Sequence, residues 1–424
     1  MTATQVTATA VAPTVRKDVS YKTPIALGAF AVLALLLFVV FARNGTSTFS
    51  FTQGGTVALP NVRFPVRATG IVITVIAALL AVAAVLLVRR RGSAPRWIIV
   101  VFALLLVVGF LAWATAGQRL PVVGLLTGSL ALAAPLIFGA LGGVVSERVG
   151  VINIAIEGQL LAGSFVSAVL ASVTQNLLVG LIGAVIAGTL VSFVLAALSI
   201  KYVVNQVIVG VVLNVLVLGL TTFLFQAVLI PSADVVNAPP TFSNLPIPGL
   251  SLIPIIGAVL FDQSIVTYLM IVAVIVVWIG LTRTRWGLRL RSVGEHPQAA
   301  DTVGINVART RFWNVALAGA IVGLGGAYFT LGSVGAFSQN ITSGAGYIAL
   351  AAVIFGRWDP LRASMAGLLF GFASQVANIL GIIGSPVPSD ILLTLPYVVT
   401  IVAVAGLVGR VRGPAAAGRP YVKG

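Results

Sequence analysis

Polar side chains inside long apolar runs are the residues of this sequence that can do chemistry, because each is costly in lipid unless it faces protein or water. The first group lies in Ser146-Glu147-Arg148-Val149-Gly150-Val151-Ile152-Asn153-Ile154-Ala155-Ile156-Glu157-Gly158-Gln159. If that stretch continues as one helix, Asn153 and Glu157 share a face, with Ser164 about two turns further on. The pair would then either line a translocation path or pin two helices at its edge, Glu157 hydrogen-bonding a neighbouring helix end. A second group is Asn205, Gln206 and Asn214. Asn205 and Asn214 are separated by about 900° of helical rotation and point opposite ways, whereas Gln206 and Asn214 differ by only about 80° and form the better pair. The third group, Ser374, Gln375 and Asn378, is spaced for a shared face. Amide side chains offer donors and acceptors together, which suits a neutral, hydrogen-bonding solute better than an ion. The alternative for each is an interhelical hydrogen bond worth roughly 0.6–2 kcal/mol. Tyr328, Phe329, Phe337, Phe370 and Phe372 either stack on a planar ligand or pack as ordinary anchors.

Other chemistries lack their residues. The chain has no Cys and one His, His296, so thiolate, disulfide and His-based metal sites are not expected. Its lysines are Lys17, Lys22, Lys201 and Lys423, and none stands in a GxxxxGK[ST] phosphate loop, so the chain is not expected to hydrolyse nucleotide itself. There is no candidate for acid–base or covalent catalysis and no cofactor is expected. Of nine acidic residues only Glu157, and less clearly Glu147, lie in or near a span, so ion coupling has thin support. Energy is expected to arrive from a partner.

The elements that must position these residues are membrane helices. Hydrophobic residues make up 59% of 424 positions and charged ones 8%, far below the roughly 25% that wets a soluble surface. Apolar spans run near 24–41, 69–88, 97–116, 121–141, 153–173, 177–200, 203–225, 264–281, 312–333, 346–356, 361–381 and 391–408. The fold class is therefore all-α, a polytopic transmembrane bundle of about 11–12 spans. The run at 346–356 is too short to cross alone and reads as a broken helix covered by protein. Gly319 and Gly323 form a GxxxG pattern, a signal for close helix packing.

Charge placement supplies the topology. With the N-terminus inside, every basic residue except Arg43, Arg63, Arg67 and Arg119 falls on the cytoplasmic side. The net charge of +16 is then explained by orientation, and no nucleic acid is implied. Both termini are expected in the cytoplasm of a multi-pass cell-membrane protein. The first apolar run is expected to be retained rather than cleaved. The chain divides into a cytoplasmic tail at 1–23, three additional transmembrane helices in 24–116, a transmembrane domain in 117–408 and a cytoplasmic tail at 409–424. The cytoplasmic segment 282–311 is long for a simple connection, and such loops tend to carry function.

Three stretches together resemble permease subunits of ATP-binding-cassette importers, in the branch for simple sugars, branched-chain amino acids and nucleosides. Glu147 to Gly158 resembles the branch's E-R-x-G-x-x-N-I-x-x-E-G signature. Arg291-Ser292-Val293-Gly294-Glu295-His296-Pro297-Gln298-Ala299-Ala300-Asp301-Thr302-Val303-Gly304-Ile305 is similar to the coupling loop that docks on the ATPase. Gly344 through Gly356-Arg357-Trp358-Asp359-Pro360 continues the match, and the ending from Gly406 to Tyr421 looks most like the nucleoside-uptake permeases. The resemblance covers residues 121–424; the first three helices depart from it. It implies two separate ATPase subunits that bind the ATP, a second and related permease, and an extracytoplasmic substrate-binding lipoprotein, all acting in membrane lipid. Simple sugars or branched-chain amino acids are the alternative cargo, and an ion-coupled secondary transporter the alternative mechanism. Expected pathway residues are Asn153, Glu157, Gln206, Asn214, Phe329, Ser374, Gln375 and Asn378. A short helix from Pro297 to about Val303 is expected to supply the contact with the ATPase, with Arg291, Gly294 and Glu295 nearby and Ala299, Ala300 and Gly304 keeping it slim.

Overall fold

Asparagine, aspartate and glycine set several of the helix ends in this chain. The computed structural model describes residues 21–52, 59–385, 387, 388, 391, 394 and 413–422. They fall into two compact units, residues 1–49 with 62–119 and residues 50–61 with 120–424.

The first unit holds three helices, α1 (Lys22–Leu35, prolonged by a π-turn at Leu36–Val40), α2 (Val66–Arg91) and α3 (Arg96–Ala114). Small residues on one face of α2, Ala77, Ala81 and Ala84, let Leu27 and Ala31 of α1 and Ile98 and Phe102 of α3 close a core. Large apolar side chains such as Leu79 and Leu104 point outward, as lipid-facing groups do. At one end the strand Thr46–Ser50 pairs antiparallel with Val62–Pro65. The Trp113 indole donates to the Phe41 carbonyl at 2.9 Å. Gly92 closes α2 in the left-handed conformation, its N–H on the Val88 carbonyl.

The second unit is built around α4 (Val122–Arg148), in which every residue from Ala133 to Glu147 is buried. A helix buried on all sides belongs at the centre of a bundle. The other helices of the unit are α5 (Ile156–Thr174), α6 (Leu177–Ala196), α7 (Gln206–Leu224), two short helices α8 (Ala233–Val236) and α9 (Ile256–Leu260), then α10 (Ile265–Arg283), α11 (Arg285–Glu295) and α12 (Pro297–Thr302). The series continues with α13 (Val307–Ala327), α14 (Ala345–Phe355) and α15 (Pro360–Ile382). Asn176, Asn205, Asn306 and Asp359 cap α6, α7, α13 and α15 by accepting from backbone N–H groups of the first turn. The GxxxG pattern works as a packing device: a Cβ on Gly319 or Gly323 would run into Ser192 or the Ala184 carbonyl of α6.

Ten described helices are long and apolar enough to cross a bilayer, and α14 is a shorter apolar helix, in agreement with an all-α polytopic bundle. The expected span 391–408 lies outside the described residues. The short run near 346–356 is a broken helix: the backbone before α14 turns left-handed at Asn340, Ser343 and Gly344. The loop 282–311 is two helices, α11 and α12, rather than an open connection.

Candidate functional site

The stretch from Ser146 to Gln159 is not the continuous helix expected of it, and Asn153 and Glu157 do not share a helical face. α4 stops at Arg148 because Gly150, at φ +93°, closes it: the Gly150 and Val151 N–H groups bond the Glu147 and Ser146 carbonyls. Residues 149–155 then form a buried non-helical break before α5. Such backbone must be satisfied by protein, and the predicted polar residues do this. Gln206 Oε1 accepts from the Ile152 N–H at 2.8 Å. Asn214 Oδ1 accepts from the Gly158 N–H at 2.8 Å, and its Nδ2 donates to the Ile154 carbonyl at 2.9 Å and to the Tyr347 hydroxyl at 3.2 Å. Asn153 is fully buried and pairs its amide with Gln159, whose Nε2 also donates to Ser192 Oγ at 2.8 Å.

Glu157 points from the first turn of α5 to the N-terminus of α14. Its Oε1 accepts from Thr342 Oγ1 at 2.6 Å and from the Gly344 N–H at 2.9 Å, and its Oε2 from the Gly346 N–H at 2.6 Å. A carboxylate here satisfies donors that the broken helix leaves free and complements the positive end of the helix dipole. Gly346 is needed for the approach, since a Cβ there would overlap the Glu157 backbone. Of the two roles open to Glu157, the contacts are those of a pin.

Beside the pin lies an open cavity of about 200 Å³, lined among others by Pro135, Phe329, Thr342, Ser343, Ser374 and Asn378. This is small against the roughly 300–1,000 Å³ of sites that enclose a drug-sized ligand, and Ser343 and Asn378 are exposed in the isolated subunit. Among the described residues its lining side chains are apolar, hydroxyl or amide, with no charged group. Thr342 belongs both to the wall and to the Glu157 cluster, so the pin sets the position of the wall. Ser374 and Asn378, four apart on α15, reach the cavity together. Gln375 does not line it; its amide packs at Gly128 of α4.

At the other end of α4 the remaining motifs meet. The Trp358 indole donates to Glu147 Oε2, and Arg148 Nε donates to the Trp358 carbonyl at 2.9 Å. These contacts hold Arg357 and Trp358, both at φ +55°, in a conformation that non-glycine residues adopt only under constraint. α12 begins at Pro297 and ends in a left-handed turn at Gly304 (φ +87°), with the Ile305 N–H on the Ala300 carbonyl and the Gly304 N–H on the Asp301 carbonyl. Ala299, Gly304 and Val303 (75% exposed) face outward. Two expected contact residues point inward instead. Ala300 is 3% exposed, and Gly294 is buried where a Cβ would overlap the Arg148 carbonyl, so both support the helix rather than present it. Arg291 folds back on its own helix, Nε to the Gly287 carbonyl at 3.3 Å. Glu295 is exposed, with Oε2 accepting from the Ala415 N–H. Burial and a hydrogen bond to Asp301 raise the Tyr421 phenol above its ordinary pKa.

Residue type and spacing do not single out Gln159, Thr342, Tyr347 or Arg311. Gln159 stands at the end of the first polar stretch, and the polar Thr342-Ser343 pair precedes the short apolar run, so a signal exists for both. Arg311 counts only as topology charge, yet it is 2% exposed.

The sequence pattern of the family described as branched-chain amino acid transport system / permease component matches residues 125–417. The guanosine ABC transporter permease protein NupQ of Bacillus subtilis is 40% identical over 70% of this chain and 95% of its own. The nucleoside ABC transporter permease protein NupC of Lactococcus lactis is 39% identical over 68% and 93%. A Haloferax volcanii permease protein named for glucose, TsgC13, is 37% identical over 58% and 75%. No solved structure matches the chain.

Proposed function

The chain belongs to the branched-chain amino acid transport permease family, and from that premise we propose that it is the membrane permease of an ATP-driven importer that takes up nucleosides. The observation that carries the substrate class is its 40% and 39% identity to guanosine and nucleoside permeases over almost their whole length. The cavity chemistry agrees. Phe329 offers a stacking face, and Ser374, Asn378, Thr342 and Ser343 offer hydroxyl and amide groups without charge, which fits a neutral, planar base joined to a polyol. Because the cavity is small and open, a second, related permease closes the path. ATP is bound and hydrolysed by separate ATPase subunits docked at α12 and its flanks, where Glu295 at the end of α11, Ala299 of α12 and Gly304 in the turn after it are exposed, and an extracytoplasmic lipoprotein delivers the solute. Both termini lie in the cytoplasm.

A second reading, glucose uptake, is favoured by TsgC13. Uptake of labelled guanosine, glucose and leucine into vesicles holding the whole complex decides between them. ATP-dependent accumulation of guanosine that is unmoved by excess glucose or leucine is expected. Accumulation of glucose in place of guanosine overturns the substrate assignment. Within the cavity, Asn378→Leu is expected to reduce guanosine uptake about tenfold by removing one good hydrogen bond to solute, equivalent to roughly 1.4 kcal/mol. Asn378 is exposed, so the amount of protein in the membrane stays the same; unchanged uptake removes Asn378 from the path.

A further inference from the structure

The C-terminal tail does not trail into solvent. Residues 413–422 lie across α11 and α12, with the Ala416 N–H on the Gly294 carbonyl at 2.9 Å and the Ala415 N–H on Glu295 Oε2 at 3.2 Å. Tyr421 hydrogen-bonds Asp301 of α12, and Gly418 sits against Ile152 of the break. Arg311 donates through Nη1 to the Arg419 carbonyl at 2.9 Å, and its Nε and Nη2 have no hydrogen-bond partner among the described residues. A buried guanidinium spent on one backbone carbonyl fixes the path of the tail at residue 419.

Tail and α12 enclose a notch of about 380 Å³, walled on one side by Glu295, His296 and Gln298 and on the other by Ala415, Arg419 and Tyr421. Its two ionic groups differ. The Glu295 carboxylate is already engaged by the tail, whereas the exposed Arg419 guanidinium makes no hydrogen bond or ion pair among the described residues. Among the described residues, the notch therefore presents one uncommitted cation, held in place from behind and continuous with the exposed surface of α12.

We propose that the tail is the second wall of the socket by which this permease engages its ATPase subunit, with Arg419 receiving a carboxylate side chain from that subunit. The proposal rests on the importer reading above. The socket explains why the tail is tied by polar contacts to α11, α12 and α13 alike, through Ala415 and Ala416, Tyr421 and Arg419: the second wall must move with the first when the ATPase closes.

The test is co-purification of the ATPase with the tagged permease from membranes holding the whole complex, alongside ATP-driven uptake. Arg419→Glu places a negative charge where a carboxylate must sit. It is expected to lower both ATPase retention and uptake by at least about tenfold, with Arg419→Lys keeping most of each. The melting temperature of the isolated permease is expected to be unchanged, because the side chain is exposed. Deletion of residues 413–424 should lose the ATPase as well. If that deletion also unfolds the permease, the Arg419 pair decides alone. Wild-type retention in Arg419→Glu, or equal loss in Arg419→Lys and Arg419→Glu, overturns the socket. A wild-type permease that retains an ATPase but accumulates glucose refutes the nucleoside reading and leaves the socket test intact; one that retains no ATPase refutes the importer reading.

Discussion

Glu157→Ala is expected to abolish solute uptake while the protein still reaches the membrane. The carboxylate is the acceptor for the Thr342 hydroxyl and the Gly344 and Gly346 N–H groups. Each buried donor left unmade costs about 1–3 kcal/mol, which together rival the roughly 5–15 kcal/mol stability of a typical domain. The loss is local, because α14 is short and its preceding residues are already in left-handed conformations that persist only when held. The cavity wall at Thr342 and Ser343 goes with it. Glu157→Gln should fall between the two: its one carbonyl oxygen can still serve Thr342 and Gly344, but its NH₂ faces the Gly346 N–H, donor against donor. Uptake per permease in vesicles, normalised to membrane content, measures the series. Full activity in Glu157→Ala would mean that α14 holds its place without the pin.

Gly294→Val should be nearly as severe at the other end of the molecule. Gly294 lies in the last turn of α11, and a Cβ there would overlap the Arg148 carbonyl at the end of α4. Neither partner is a flexible side-chain tip, so α11 must move away from α4, and overpacking of this kind typically costs about 1–3 kcal/mol or more. The same shift withdraws the Gly294 carbonyl from the Ala416 N–H and so parts the tail from α11. With the tail parted from α11, one wall of the proposed socket is displaced, so retention of the ATPase and solute uptake should both fall. Parallel assays of ATPase retention and uptake measure the effect, and a variant with both normal would show that α11 can shift without consequence.

Much of this architecture is legible in the order of residues along the chain. Runs of apolar residues longer than a bilayer is thick can only be helices, since lipid offers the backbone no partners. The broken span near 346–356 follows from length alone, and the pairing of Gln206 with Asn214 from helical rotation; both residues clamp the break at 149–155, Asn214 reaching also to the first turn of α5. The stop at Gly150 has a signal too, a glycine just beyond Arg148, but the apolar residues after it mimic a continuing span. Hydropathy does not distinguish a helix from a buried break whose carbonyls and N–H groups are satisfied by side chains from elsewhere.

The roles of the polar residues are decided by tertiary structure. Asn153, Gln206, Asn214 and Glu157 have the composition of a solute path, yet their hydrogen bonds are spent within the protein, most of them on backbone. Ser374 and Asn378 face the cavity, while Gln375, one residue from Ser374, packs at Gly128. In the same way Gly294 and Ala300 lie in the coupling stretch but face inward, and Ala299 and Gly304 face out. Residue type and spacing determine that a polar group must find a partner inside the bundle. Which partner it finds depends on the atoms that long-range packing brings within about 3 Å, and the sequence of a single helix carries no record of those.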